Sequence, residues 1–175
     1  GIPVNLDPRL MEFNLGDWEG ATFESLRGAG NIMQQLVRNP DFTAPNGESQ
    51  NLVRKRMVEA IRAEDPGRLI VADGLQWGRE PVHGLVDLGL AQSTRGYDPM
   101  QISHFQASWV SGSDRWAEPT WPLKLGDRVT DKATLRRDRI EPWKKLEAKG
   151  VGIHVGEWGA HNRTPHKVAL AWMRD

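Results

Sequence analysis

A parallel α/β sheet is the fold class that this chain of 175 residues predicts. Three features carry that expectation. Strand-like runs lie at 68–74, 89–97 and 151–157; the first and third read as buried strands, broken at Asp73-Gly74 and ending on Glu157. Helix-like stretches lie between and after them, and such alternation favours parallel strands joined by crossovers. Finally, Asp73, Tyr97 and Glu157 all fall at the carboxyl ends of these runs, where the active groups of parallel sheets gather.

The first forty-odd residues are loop-rich, with room for one short strand before a turn at Gly20. A helix is expected from about Thr22, with Phe23, Leu26, Ile32, Met33, Leu36 and Val37 on its apolar side. Gly28 and Gly30 weaken its middle, so two short helices fit equally well. "NPDFTAPNGES" reads as a loop. From Ser49 to Glu64, Val53, Met57, Ala60 and Ile61 recur at helical spacing, and Pro66-Gly67 stops that helix.

A long Trp-bearing loop follows the second strand, with Trp109, Trp116 and Trp121 among Ser, Gly and Pro; its length favours a functional loop. Next comes a helix carrying Leu135, Ile140, Trp143 and Leu146. Pro142 suits a first helical turn and Gly150 a stop. After the third strand, "VGIHVGE", a last helix is expected, capped by Thr164 with Pro165 first, carrying Val168, Ala171 and Trp172. No internal repeat is present.

Composition narrows the function. Lys plus Arg equals Asp plus Glu, 23 each, so no global field draws in nucleic acid or an anionic membrane. The basic runs at 54–56 and 136–139 read as solvated faces. The absence of Cys excludes disulfides, thiol catalysis and Cys-based zinc sites. His154, His161 and His166 lack metal-ligand spacing, so no metal or other cofactor is expected. No apolar run approaches the roughly 18 residues of a membrane span. The chain opens on Gly1 rather than Met, which suggests a processed or excised product. Eight Trp stand against one Tyr and four Phe, and a flat indole suits both cores and sugar platforms.

Several separated motifs in order, "AIRAEDPGRLIVADGLQWGREPV", "QSTRGYDPMQISHFQASWV", "PTWPL" and "GVGIHVGEWGAHNRTPHKVALAWMRD", resemble the C-terminal part of glycoside hydrolase family 5, the cellulase-like clan. The resemblance covers about 57–175. It implies an incomplete β/α barrel, with 68–74, 89–97 and 151–157 as the fifth, sixth and seventh strands. It also implies retaining cleavage of β-linked glucans and mannans, with Glu157 as nucleophile and Tyr97 as the tyrosine that orients it. A retaining glycosidase needs a second carboxyl group roughly 5–5.5 Å away. In the family this is the Glu of an Asn-Glu-Pro motif, which occurs nowhere in this chain. Arg95 stands where the family usually has a His, which puts an altered network around Glu157 in prospect. Trp77, Trp109, Trp116, Trp121, Trp158 and His104 make up the expected sugar-binding set.

"DPRLMEFNLGDWEGATFESLR" and the later Gly47-Glu48-Ser49 resemble the histidine phosphatases, over about 1–56. That resemblance makes Glu12 the counterpart of a proton donor. The Arg-His-Gly motif is missing, and all five His lie after residue 80.

The sequence thus reads as a chimera of 1–56 and 57–175 sharing a helix at about 50–63. The expected function is a β-1,4-glucanase by descent with weak or lost turnover. The alternatives are a non-catalytic β-glucan-binding or oligomerising protein and, third, a residual phosphomonoesterase. A partial barrel exposes strand edges, so a homo-oligomer is expected. Glu12, Glu48 and Glu80 are the candidates for a recruited acid. The expected partners are β-linked poly- or oligosaccharides, not nucleic acid or membrane.

Overall fold

The computed structural model describes residues 1–27, 34, 35 and 38–175. Of the expected first helix, Gly28, Gly30, Ile32, Met33, Leu36 and Val37 lie outside the described residues. The chain forms two compact units: Gly1–Ile70 with Asp87–Gly89, and Val71–Val86 with Leu90–Asp175.

In the first unit the strand expected before Gly20 is replaced by 3-10 turns at Pro8–Leu10 and Gly16–Trp18. Pro8 fixes φ, and the Asp7 carboxylate accepts from Arg9 N at 2.9 Å, so the backbone turns where a strand would extend. Helix α1 spans Phe23–Arg27 and α2 spans Gln50–Glu64. Ser49 caps α2 by accepting from Leu52 N.

Of the expected apolar face of α2, Ala60 is buried and Val53 and Ile61 are half-buried, but Met57 is exposed, and Val58, not expected inside, is buried. Arg56 donates to the carbonyls of Arg9 and Glu12 at 2.7 and 3.0 Å, and to Glu48 through Nε and Nη2. That clamp ties the loop-rich N-terminal segment to the helix.

The second unit is mixed α/β. Its sheet has three parallel strands in the order β1 (Val71–Asp73), β2 (Ala91–Gly96), β5 (Ile153–Trp158). Val71 pairs with Ala91, and Gln92 with Ile153; the register shifts between Thr94 and Arg95, which sets Arg95 opposite Glu157 and Gly96 opposite Trp158. A bulge of this kind re-aims the side chains beyond it. β3 (Leu123–Leu125) and β4 (Arg128–Thr130) form a hairpin that the sequence reading left inside a loop and before a helix.

The helices of this unit are α3 (Met100–Ser103), α4 (Lys132–Leu135), α5 (Glu141–Glu147) and α6 (His166–Arg174). A π turn at Arg136–Ile140 joins α4 to α5. Its extra residue changes the helical phase, so Ile140, expected inside, is exposed, while Trp143 and Leu146 stay buried. Trp143, Leu146 and Val151 form one core with Val86 and Ile153. A second joins Ile102, Leu123 and Trp172 to Trp121, Leu135, Ala160 and Val168.

Thr164 does not cap the last helix. Pro165 holds the cap position, and Thr164 Oγ1 donates at 2.6 Å to the carbonyl of buried Ile102. A buried carbonyl without a donor is costly, and the hydroxyl meets that need.

Candidate active site

The ends of β1, β2 and β5 bring Asp73, Arg95, Tyr97 and Glu157 into one cleft of about 820 Å³, which Trp77 and Trp109 also line. An adjoining cavity of about 420 Å³ shares Tyr97, His104, Trp109 and Glu157, and adds Trp158 and His161.

Glu157 is half exposed, and its hydrogen-bond donor and its ion-pair partner meet the same oxygen. Tyr97 Oη donates to Oε2 at 3.2 Å, and Arg95 Nε lies 3.2 Å from it. Among the described residues nothing donates a hydrogen bond to Oε1, which is left for other chemistry. Arg95 is mostly covered, and its Nη2 donates to Asp73 Oδ2 at 2.9 Å. That hydrogen bond is the main reason the guanidinium titrates above its ordinary value. The Tyr97 phenol is also raised, first by burial and then by Glu157, so it remains a donor at neutral pH.

A further network fixes the aromatic wall. Ser103 Oγ donates to the Tyr97 carbonyl and sits 2.7 Å from His104 Nδ1. Having spent its proton, the hydroxyl accepts from Nδ1–H, which leaves His104 Nε2 as the acceptor. Burial, helped by the charges of His161 and Arg79, holds His104 below its usual range, in keeping with a neutral ring. Tyr97 lies edge-on to His104 at 5.1 Å, and Trp109 lies edge-on to His104 at 6.4 Å and to His161 at 5.2 Å. Trp109 nevertheless remains 68% exposed.

Trp77 is 83% exposed, in the turn Leu75–Gly78, where Gln76 and Trp77 both take left-handed φ. Non-glycine residues adopt that region at a cost, and strained positions cluster at functional sites.

Not every candidate joins the cleft. Trp121 packs against the Ile102, Leu123 and Trp172 core and donates its Nε1 to Asp175, so it serves packing. Trp116 is half-buried and lines neither cavity. Glu12 and Glu48 belong to the first unit; Glu48 is paired there with Arg56. Glu80 is exposed and outside the cleft lining. The sequence places Asp73 at a strand end without giving it a role, and marks Arg95 as a departure from the family's His rather than as a donor. The available signal was position, since both lie at strand ends beside the one that carries Glu157. Among the described residues there is no metal-binding cluster and no helix long and apolar enough to cross a membrane.

Both resemblances read from the sequence are found by comparison with known proteins. The family model "Histidine phosphatase superfamily (branch 1)" matches residues 1–75. A solved structure described as a glycoside hydrolase is 44% identical with a TM-score of 0.66, covering 70% of this chain and 37% of that one. Thermotoga maritima Cel5A, solved in complex with a mannotriose substrate, is 22% identical with a TM-score of 0.47, covering 70% of this chain and 40% of that one. No curated protein matches the chain. The chain therefore spans less than half the length of either glycoside hydrolase. The two resemblances fit a chimera of both families, and the parallel sheet agrees with part of a barrel.

Proposed function

We propose that this protein is a retaining β-glycanase by descent, acting on β-1,4-linked glucan, with Glu157 as nucleophile and Tyr97 as its orienter. One observation carries the reading: Oε2 of Glu157 is held by Tyr97 and Arg95, while Oε1 is left for an anomeric carbon in an aromatic-walled cleft. The likeness to a glycoside hydrolase at 44% identity supports it. Trp77, Trp109, Trp158 and His104 would contact the sugar; exposed indoles offer flat apolar faces to a pyranose ring.

Since the Asn-Glu-Pro acid is missing, turnover should depend on the leaving group. A general acid contributes about 10²–10⁴-fold. Dinitrophenyl β-cellobioside, whose phenolate leaves without a proton, is expected to turn over. Cellopentaose is expected to turn over at least about 10²-fold more slowly. If neither reacts while cellopentaose binds, the protein is a glucan-binding one and the catalytic reading is wrong.

The same fold supports association with a second copy. β1 and β5 are edge strands of the sheet, with Val71, Val155 and Trp158 exposed among the described residues. Light scattering after size exclusion is expected to give a dimer or larger; a monomer throughout a concentration series would refute it.

A further inference from the structure

We infer that Asp73 is the second carboxylate of this site and acts as general base for water, an assignment that rests on Glu157 being the nucleophile. Arg95 places it there. Arg9 and Arg137 each use the Nε–Nη2 edge of the guanidinium to grip both oxygens of a single carboxylate, Asp7 and Asp138. In Arg95 that same edge is divided, Nη2 going to Asp73 and Nε to Glu157. The fork has a fixed, compact geometry, so the two carboxyl groups stand side by side across it. A retaining pair needs a separation of roughly 5–5.5 Å, and the shared guanidinium holds both carboxyl groups in one neighbourhood.

The surroundings suit the role. Asp73 and Glu157 line the same cleft, each about half exposed at 56% and 53%, whereas the Arg95 side chain is 23% exposed. Water can reach both carboxylates while Arg95 stays covered. Asp73 accepts a hydrogen bond through Oδ2, which leaves Oδ1 with a lone pair to take a proton and none to give.

This division of labour sets the chemistry. In the first step Glu157 Oε1 bonds to the anomeric carbon, and the bond to the leaving group breaks with its electron pair. A leaving group stable as an anion departs unprotonated, so no acid is needed. In the second step water bonds to the anomeric carbon, its proton passes to Asp73 Oδ1, and the C1–Oε1 bond breaks to restore the Glu157 carboxylate. Asp73 then loses the proton to solvent.

The test is pre-steady-state hydrolysis of dinitrophenyl β-cellobioside by the full chain and by Asp73→Asn, with and without azide. For the variant, the expected result is an unchanged burst of dinitrophenolate, a steady-state rate lower by about 10²-fold or more, and azide rescue yielding β-cellobiosyl azide. Azide needs no base, so rescue is a readout that a purely structural role would not give. An unchanged steady state in Asp73→Asn overturns the assignment. So does loss of the burst, which would make Asp73 a holder of Arg95. A wild-type chain that forms the glycosyl-enzyme but never releases it overturns it as well. A wild-type chain with no burst overturns instead the prior reading of Glu157.

Discussion

Glu157→Gln is expected to abolish release of dinitrophenolate from dinitrophenyl β-cellobioside, lowering kcat by about 10⁴-fold or more, as removal of a nucleophile does. The amide keeps the shape of the side chain and can still accept from Tyr97 and Arg95, so the cleft should stand. What it loses is the anionic oxygen that forms the covalent bond. Tyr97→Phe provides the graded comparison. It removes one of the two partners of Oε2 and should cost about 10- to 100-fold, the worth of a hydrogen bond to a charged group. Steady-state assays of both variants, with glucan affinity measured in parallel, separate the effects. Retained affinity with lost turnover is the expected pattern for Glu157→Gln. Turnover within about tenfold of the parent chain would remove Glu157 from the mechanism.

The largest effect on stability is expected from Gln92→Leu. Gln92 lies on β2 with no exposed surface, and its amide closes two hydrogen bonds with one residue. Oε1 accepts from Val82 N and Nε2 donates to Val82 O, both at 2.8 Å. Leucine would fill much of the volume but leave a buried N–H and C=O unmet, each costing about 1–3 kcal/mol, so roughly 2–6 kcal/mol is at stake. Urea unfolding should show a lower midpoint at an unchanged slope. The clamp also reaches the site, because Val82 closes the segment that carries Trp77 and Arg79 back toward the sheet. A loss below about 0.5 kcal/mol would mean that water replaces the amide.

The parts of this architecture that rest on periodicity were legible in the sequence. "VGIHVGE" alternates and ends at a turn, and β5 follows it, exposed where the sequence predicts burial; the helical spacing from Ser49 to Glu64 is followed by α2. Features that depend on a distant partner were not. Thr164 has the position of a cap, but a buried carbonyl on α3 competes for its hydroxyl and wins. Met57 has the spacing of a core residue, yet it is exposed while Ala60 on the same expected face is buried. The hairpin β3–β4 has three-residue strands, too short to show an alternation within a Trp-rich stretch.

The candidate site divides along the same line. Glu157 and Tyr97 could be picked out by their motifs, while Trp121 has the composition of a sugar platform and the surroundings of a core residue. Asp73 sits far from Glu157 along the chain, and only the parallel register of three strands brings both to Arg95. Arg95 stands where the family has a His, and the site pairs it with two carboxylates at once.

Covalent trapping tests the central claim most directly. Dinitrophenyl 2-deoxy-2-fluoro-β-cellobioside carries a leaving group that needs no acid, and its fluorine slows breakdown of the glycosyl-enzyme. Intact-mass measurement should show one fluorocellobiosyl group per chain, mapped to the peptide holding Glu157 and absent from Glu157→Gln. A chain that stays unlabelled, or that carries the sugar on another residue, would contradict the assignment of Glu157 as nucleophile.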